Sequence, residues 1–276
     1  MKKALSALAV GALLAAARPA YATPSTTFWT PATIYSQPYL VPHITYDTYV
    51  AQKGFLQNTY GLTMGILPFD KLQGEVGFDL FYPTALSPVQ PTGVGTFDVF
   101  QVNAKLTLPE GVLASWAPGV SVGIANAGFK SGVSDYDLLH GTIGKTLPVV
   151  GTLAVGGYYG AGSSALWKGS DGNVNRSGFM ASWTSADIKI GKPGLDKIVF
   201  LGDASTGKNW FGAVGGGIGL YFTPSIDILT GPVYLLDKNL YKANPMANTN
   251  LMWTVQLDVD LDFRTPAPAA PAEPQK

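Results

Sequence analysis

The feature that most constrains this chain is a two-residue alternation of apolar and polar side chains, repeated in segment after segment from about residue 40 to residue 263. The last copy is the clearest. Val255, Leu257, Val259, Leu261 and Phe263 fall on one side of an extended backbone, with Thr254, Gln256, Asp258, Asp260 and Asp262 on the other. Successive side chains of a strand point to opposite faces, so one face calls for hydrocarbon and the other for water. The same split sets Val76, Phe78, Leu80 and Tyr82 against Glu75, Gly77, Asp79 and Phe81. It also sets Phe100, Val102, Ala104, Leu106 and Leu108 against Gln101, Asn103, Lys105 and Thr107, and Ile44, Tyr46 and Val50 against His43, Thr45 and Asp47.

Taken with their turn signals, these segments predict about twelve strands, within a range of 10–14, near 42–51, 59–67, 74–83, 97–108, 119–127, 137–146, 151–161, 177–188, 197–204, 211–222, 225–236 and 250–263. Three are weaker: the eighth loses phase at Asp187, the ninth is short, and Pro232 interrupts the eleventh. The connections alternate too. Tight ones such as 68–71, 109–111 and 223–225 carry Pro or Gly, and longer polar ones such as 84–96, 162–176 and 237–249 lie between them. Short turns at one end and long loops at the other are the pattern of transmembrane barrels, and an even strand number puts both termini on the short-turn, periplasmic side.

Composition decides which medium the apolar face meets. Only 13% of the 276 residues are charged, about half the usual share, and there are 33 Gly and 20 Pro. A soluble sandwich packs its apolar face inward and wets the other with Lys, Glu and Thr. Here the polar face is Gly, Ser, Thr, Asn and a few acids. Aromatics sit near segment ends as a prospective girdle: Tyr46, Tyr82, Tyr159, Trp183, Phe222, Trp253 and Phe263. The predicted fold is therefore all-β, a transmembrane antiparallel up-and-down barrel. Zero net charge gives no electrostatic footprint for nucleic acid, and the absence of Cys excludes disulfides and thiolate chemistry.

Three segments lie outside the barrel, expected over 42–263. Lys2 and Lys3, the apolar run 4–17 and Ala20-Tyr21-Ala22 predict a signal peptide over 1–22, cleaved near Ala22. Residues 23–41, interrupted by Pro24, Pro31 and Pro38, predict an extended periplasmic leader, and the Pro/Ala-rich stretch 264–276 a disordered tail.

The signal, the strand count and a last strand closing on Phe263 together resemble Gram-negative outer-membrane β-barrel proteins of porin-like type. The segments Gly74-Glu75-Val76-Gly77-Phe78-Asp79 and Tyr221-Phe222-Thr223-Pro224-Ser225-Ile226-Asp227 are similar to a group of about twelve-stranded barrels from environmental bacteria, a likeness that implies no activity. The first resemblance implies membrane lipid and lipopolysaccharide as surroundings and the barrel-assembly machinery as a partner during biogenesis. It leaves homo-oligomerisation open. In that group the closing aromatic is usually terminal, whereas here 13 residues follow Phe263.

Few residues offer catalytic chemistry. Gly202 to Lys208 fits GxxxxGK, but Asn209 stands where the phosphate loop needs Ser or Thr, and a Gly-laden strand follows in place of a helix. His140-Gly141-Thr142 is similar to the His-x-Ser of outer-membrane phospholipase A, whose pair faces lipid; here Leu139 and Ile143 take the lipid-like face and leave His140 in the lumen. No catalytic, cofactor-binding or metal-binding residue is assigned, and no cofactor is expected. The acidic row Asp258, Asp260, Asp262 could coordinate a cation only with carboxylates from neighbouring strands, since a single row is not a cage, and is expected instead to pair with Lys105, Lys145 or His43. The closing contact between last and first strands makes His43 or Asp47 a candidate neighbour of the row. Lumen-lining positions are Asp47, Glu75, Asp79, Gln101, Asn103, Lys105, His140, Asp258, Asp260 and Asp262. The expected role is a narrow passive channel for small polar solutes or ions, with weak ion selectivity because the lumenal signs are mixed. The alternatives are an anchoring barrel with a filled lumen that binds a partner and, ranked last, a barrel lipid hydrolase.

Overall fold

The computed structural model describes residues 26–51, 54–82, 96–240 and 250–264. The signal segment and the tail from residue 265 lie outside them. Thirteen strands follow one another: β1 (Pro42–Ala51), β2 (Gly54–Gly65), β3 (Gln73–Tyr82), β4 (Phe100–Leu108), β5 (Gly119–Gly128), β6 (Leu138–Leu147), β7 (Gly151–Gly160), β8 (Ser177–Thr184), β9 (Ile188–Lys192), β10 (Leu195–Ser205), β11 (Ala213–Thr223), β12 (Ile226–Leu235) and β13 (Leu251–Asp260). Consecutive strands pair antiparallel, except that β8 and β9 both pair with β10, and β13 returns to β1 over eight residue pairs, from His43 opposite Asp260 to Val50 opposite Trp253. The ring therefore has no free edge, and its twelve positions match the number expected from the alternation.

The thirteenth strand is half of a broken one. β8 pairs with the upper part of β10, Leu201 opposite Thr184, and β9 with the lower part, Ile198 opposite Ile188, one residue out of register. At the break the Phe200 amide donates to the Ser185 hydroxyl at 2.9 Å and the Ser185 amide donates to the Phe200 carbonyl at 2.8 Å. A side chain thus takes over one ladder bond, which is the physical origin of the lost phase at Asp187. Pro232 stays inside β12, outward-facing and opposite Trp253, and the β11–β12 pairing lapses between Gly215 and Ile218 on the facing strand, since Pro has no N–H to donate.

Burial is inverted relative to a soluble domain. Val122 and Val155, in the middle of their strands and facing outward, are 54% and 56% exposed, whereas Gln101, Thr107 and Thr254, facing inward, are 0% exposed. A sandwich would do the reverse, so the apolar face is the outside of the barrel. Outward aromatics gather toward strand ends: Tyr159, Phe179, Trp253 and Tyr234 at the long-loop end, Trp183 and Phe222 at the other. Tyr46 instead sits mid-strand against Tyr60, ring centroids 5.1 Å apart. The Tyr82 side chain lies outside the described residues.

The N-terminal segment differs most from expectation. Read as a leader in the periplasm, it is extended, but residues 26–38 run through the lumen from the long-loop half to the short-turn end, where residues 39–41 turn back into β1. Thr27, Phe28, Thr30, Ala32, Ile34, Ser36 and Gln37 are all buried there. Inward-facing glycines make the room. A Cβ on Gly65 would stand 2.2 Å from the Gln37 carbonyl oxygen, and one on Gly217 would stand 2.7 Å from the Phe28 ring. Phe28 also organises an apolar patch inside the barrel with Tyr49, Leu201, Leu229, Val233 and Met252, so the interior is not uniformly polar.

Candidate functional site: the barrel lumen

The N-terminal segment is held by side chains reaching inward from most of the strands. Near its start, the Asp203 carboxylate of β10 accepts from the Trp29 amide at 2.8 Å, from the Thr30 amide at 2.6 Å and from the Thr27 hydroxyl. Gln256 of β13 donates to the Phe28 carbonyl at 2.8 Å. Midway, Ser182 and Ser121 donate to the Ala32 and Thr33 carbonyls at 2.5 and 2.6 Å, and Lys105 donates to the Thr33 hydroxyl at 3.2 Å. At the short-turn end Tyr35 meets Thr152 and Ser36 meets Thr107, both at 2.6 Å. There the Gln37 amide donates to Glu75 and its side chain to Asp260, again both at 2.6 Å. An extended segment has no ladder of its own, so these contacts satisfy backbone groups that would otherwise be buried unpaired.

The segment leaves space on both sides. A cavity of about 180 Å³ lies between it and β1–β6, lined by Asp47, Glu75, Asp79, Gln101, Asn103, Lys105 and His140 among others. A second of about 380 Å³ lies at the short-turn end, against β6–β8, β10 and β11, beside Tyr35, Thr152, Lys197 and Tyr221.

Of the residues named from sequence, Asp258 and Asp260 project inward at β1. His43 bridges them, Nε2 3.3 Å from Asp258 and Nδ1 2.8 Å from Asp260. Lys105 and Lys145 do not join this row. Lys105 stands directly opposite Glu75 and pairs with it at 3.1 Å, and Lys145 pairs with Glu110 at the short-turn end, also at 3.1 Å. Both lysines sit beside carboxylates nearer than the row, Glu75 directly across the strand pair from Lys105 and Glu110 in the β4–β5 turn beside Lys145. Asp79 accepts from Asn103 at 2.5 Å, Gln101 donates to the Ser134 carbonyl at 2.7 Å, and Asp262 lies beyond the end of β13, paired with Arg264 at 2.6 Å. His140 and Thr142 both face inward, with Leu139 and Ile143 outward; neither His140 Nδ1 nor the Thr142 hydroxyl has a hydrogen-bond partner, so the pair forms no dyad. In the GxxxxGK stretch a strand follows the loop, and the Ser205 hydroxyl donates to the Phe211 carbonyl.

The pairing reading missed Asp203 and Asp227, the former because its partners belong to the N-terminal segment. Both alternate correctly within their strands, which is the signal that could have placed them inside.

The architecture is that of a closed antiparallel up-and-down β-barrel with twelve strand positions. No family model and no curated protein matches the sequence. Among solved structures, an outer membrane channel from Pseudomonas putida F1 is similar at 12% identity and a TM-score of 0.46, over 84% of this chain and 99% of that one. A double mutant of the Rh. blastica porin is similar at 10% identity and a TM-score of 0.38, over 75% of this chain and 56% of that one. The low-pH structure of Pseudomonas putida OprB follows at 8% identity and a TM-score of 0.28, over 80% and 91%. The barrel assignment itself rests on the closed strand pairing of this chain.

Proposed function

We propose that the chain is an outer-membrane channel for small polar solutes or ions, its bore set by its own N-terminal segment. Residues 1–22 act as the cleaved signal that delivers it, and the short turns face the periplasm. The observation that carries this reading is the pair of spaces flanking residues 26–38 inside the lumen, about 180 and 380 Å³, each bordered by hydroxyl and charged side chains. Eight-stranded barrels are filled by side chains and sixteen-stranded ones are open, so twelve positions leave a lumen that one extended segment can narrow. The absence of a His140–Thr142 contact removes the main support for lipid hydrolysis.

Planar-bilayer recording of the folded chain tests the proposal, alongside a variant lacking residues 26–38. The intact chain is expected to give small unitary steps and the variant steps several times larger. Silence from both would refute the channel. Silence from the intact chain alone would move the reading to an anchoring barrel, which the apolar patch around Phe28 favours.

A further inference from the structure

One side of the lumen carries acids in a single line. In register, Asp79 of β3 stands opposite Gly61 of β2, Gly61 opposite Thr45 of β1, Thr45 opposite Asp258 of β13, and Asp258 opposite Asp227 of β12. Asp47 projects from the same face of β1, two residues above Thr45. Gly61 is what lets Asp79 join the line: a Cβ there would stand 2.5 Å from Asp79 Oδ1 and 3.2 Å from the Thr45 hydroxyl, so the Asp79 carboxylate lies over the glycine and leans toward β1.

The bases around this rung are already engaged. Lys105 is held by Glu75 at 3.1 Å. His43 carries at most one charge and is shared between Asp258 and Asp260. On the far side, Lys197 is held by Asp187 at 3.1 Å and lies 4.3 Å from the centre of the Tyr221 ring, which separates it from Asp227 in the same rung. Asp227 is 0% exposed and neither of its carboxylate oxygens has a hydrogen-bond partner, nor has Asp260 Oδ2. A buried carboxylate facing another carboxylate across a strand pair calls for a positive charge.

We propose that the Asp79–Asp258–Asp227 rung, with Asp47, binds small inorganic cations and makes the lumen cation-selective. The selectivity half rests on the channel reading above; the binding half does not. Among the described residues no three His, Asp or Glu side chains close into a metal cage. An ion is therefore held by at most two carboxylates at a time and reaches the rung from the space of about 180 Å³ that Asp47 and Asp79 line, loosely enough to exchange, as conduction requires. Such a preference departs from the weak selectivity that mixed signs imply, because the lysines that mix them are paired locally.

Two measurements on the full folded chain separate the halves. Its thermal midpoint is compared in potassium chloride and in N-methylglucamine chloride at equal ionic strength, with Asp227→Asn and Asp79→Asn beside it. Potassium is expected to raise the wild-type midpoint and to lose that effect in both variants. Equal wild-type midpoints in the two salts would mean that the carboxyls are protonated and would overturn the site. In bilayers under a potassium chloride gradient, the reversal potential is expected to report cation over anion permeability of about tenfold, as fixed charge imposes in a narrow bore, falling severalfold in Asp79→Asn. Conduction without selectivity would overturn the proposal and leave the channel standing. A potassium-dependent midpoint in a silent protein would uphold the site and refute the channel.

Discussion

Replacing Asp203 by Ala should release the upper half of the N-terminal segment while leaving its lower half seated. Asp203 accepts from two backbone amides, Trp29 at 2.8 Å and Thr30 at 2.6 Å, and from the Thr27 hydroxyl. A hydrogen bond to a charged group contributes about 1.5–3 kcal/mol. Released donors recover water, so the low end applied to the two amides gives about 3 kcal/mol. At about 1.4 kcal/mol per decade, that corresponds to roughly a hundredfold shift toward the released state. Amide hydrogen exchange reads this directly. Trp29 and Thr30 should exchange about a hundredfold faster in Asp203→Ala, as that shift requires. Gln37, whose amide donates to Glu75 at 2.6 Å at the other end, should be unchanged. Asp203→Asn keeps one acceptor oxygen and should fall between. Unchanged exchange at Trp29 and Thr30 would refute the anchoring role, and equal acceleration at Gln37 would show that the segment moves as one piece.

Four further outcomes follow from the same contacts. Because the chain has no Cys, the double variant Ser36→Cys with Thr107→Cys adds its only thiols where two hydroxyls now meet at 2.6 Å; it should oxidise readily and shift the unfolded band on a gel, and thiols that stay free would place the segment elsewhere. Gly65→Ala puts a Cβ 2.2 Å from the Gln37 carbonyl and 2.3 Å from the Pro38 carbonyl; it should lower unfolding stability by about 1–3 kcal/mol in the full chain, with little effect once residues 26–41 are removed. Val155→Arg, outward and mid-strand, should cost about 2–4 kcal/mol in a lipid bilayer, and a neutral result in urea titration would mean that this face does not meet hydrocarbon.

The fourth concerns pH. Burial alone would raise the Glu110 carboxyl, but the Thr146 hydroxyl and amide and the Lys145 ammonium outweigh it and hold it below the usual carboxylate range. Its contribution is therefore full above the unfolded value and lost as pH falls through the lowered one. Glu110→Gln should lose up to about 1 kcal/mol at neutral pH and flatten the acid limb of an unfolding-midpoint curve.

Much of the barrel was legible because a strand's facing is a local property. The β1 bounds, the inward row Thr254, Gln256, Asp258, Asp260 and the outward row Val255, Leu257 follow from period two alone. Closure made His43 or Asp47 a neighbour of the acidic row, since the last strand must meet the first; the register then put His43 opposite Asp260 and Asp47 opposite Gln256. The break at Asp187 was visible as lost phase, but its ladder substitution by Ser185 was not.

The N-terminal segment shows where such reading stops. Thr27, Thr30, Thr33 and Ser36 recur every third residue, a spacing that neither strand nor helix uses and that suits an extended polyproline-like chain. Each of these hydroxyls meets a polar partner inside the barrel, Asp203 for Thr27, Thr27 for Thr30, Lys105 for Thr33 and Thr107 for Ser36. The period was written in the sequence, but the strand partners Lys105, Thr107 and Asp203 lie far from it along the chain. The sequence by itself determined the strands, their faces and the medium each face suits, because these depend on neighbours two residues away. Only the tertiary structure decided that the N-terminal segment runs through the lumen, that Glu75 claims Lys105, and that Asp79, Asp258 and Asp227 fall on one rung, because these depend on the relative register of strands, which alternation does not record.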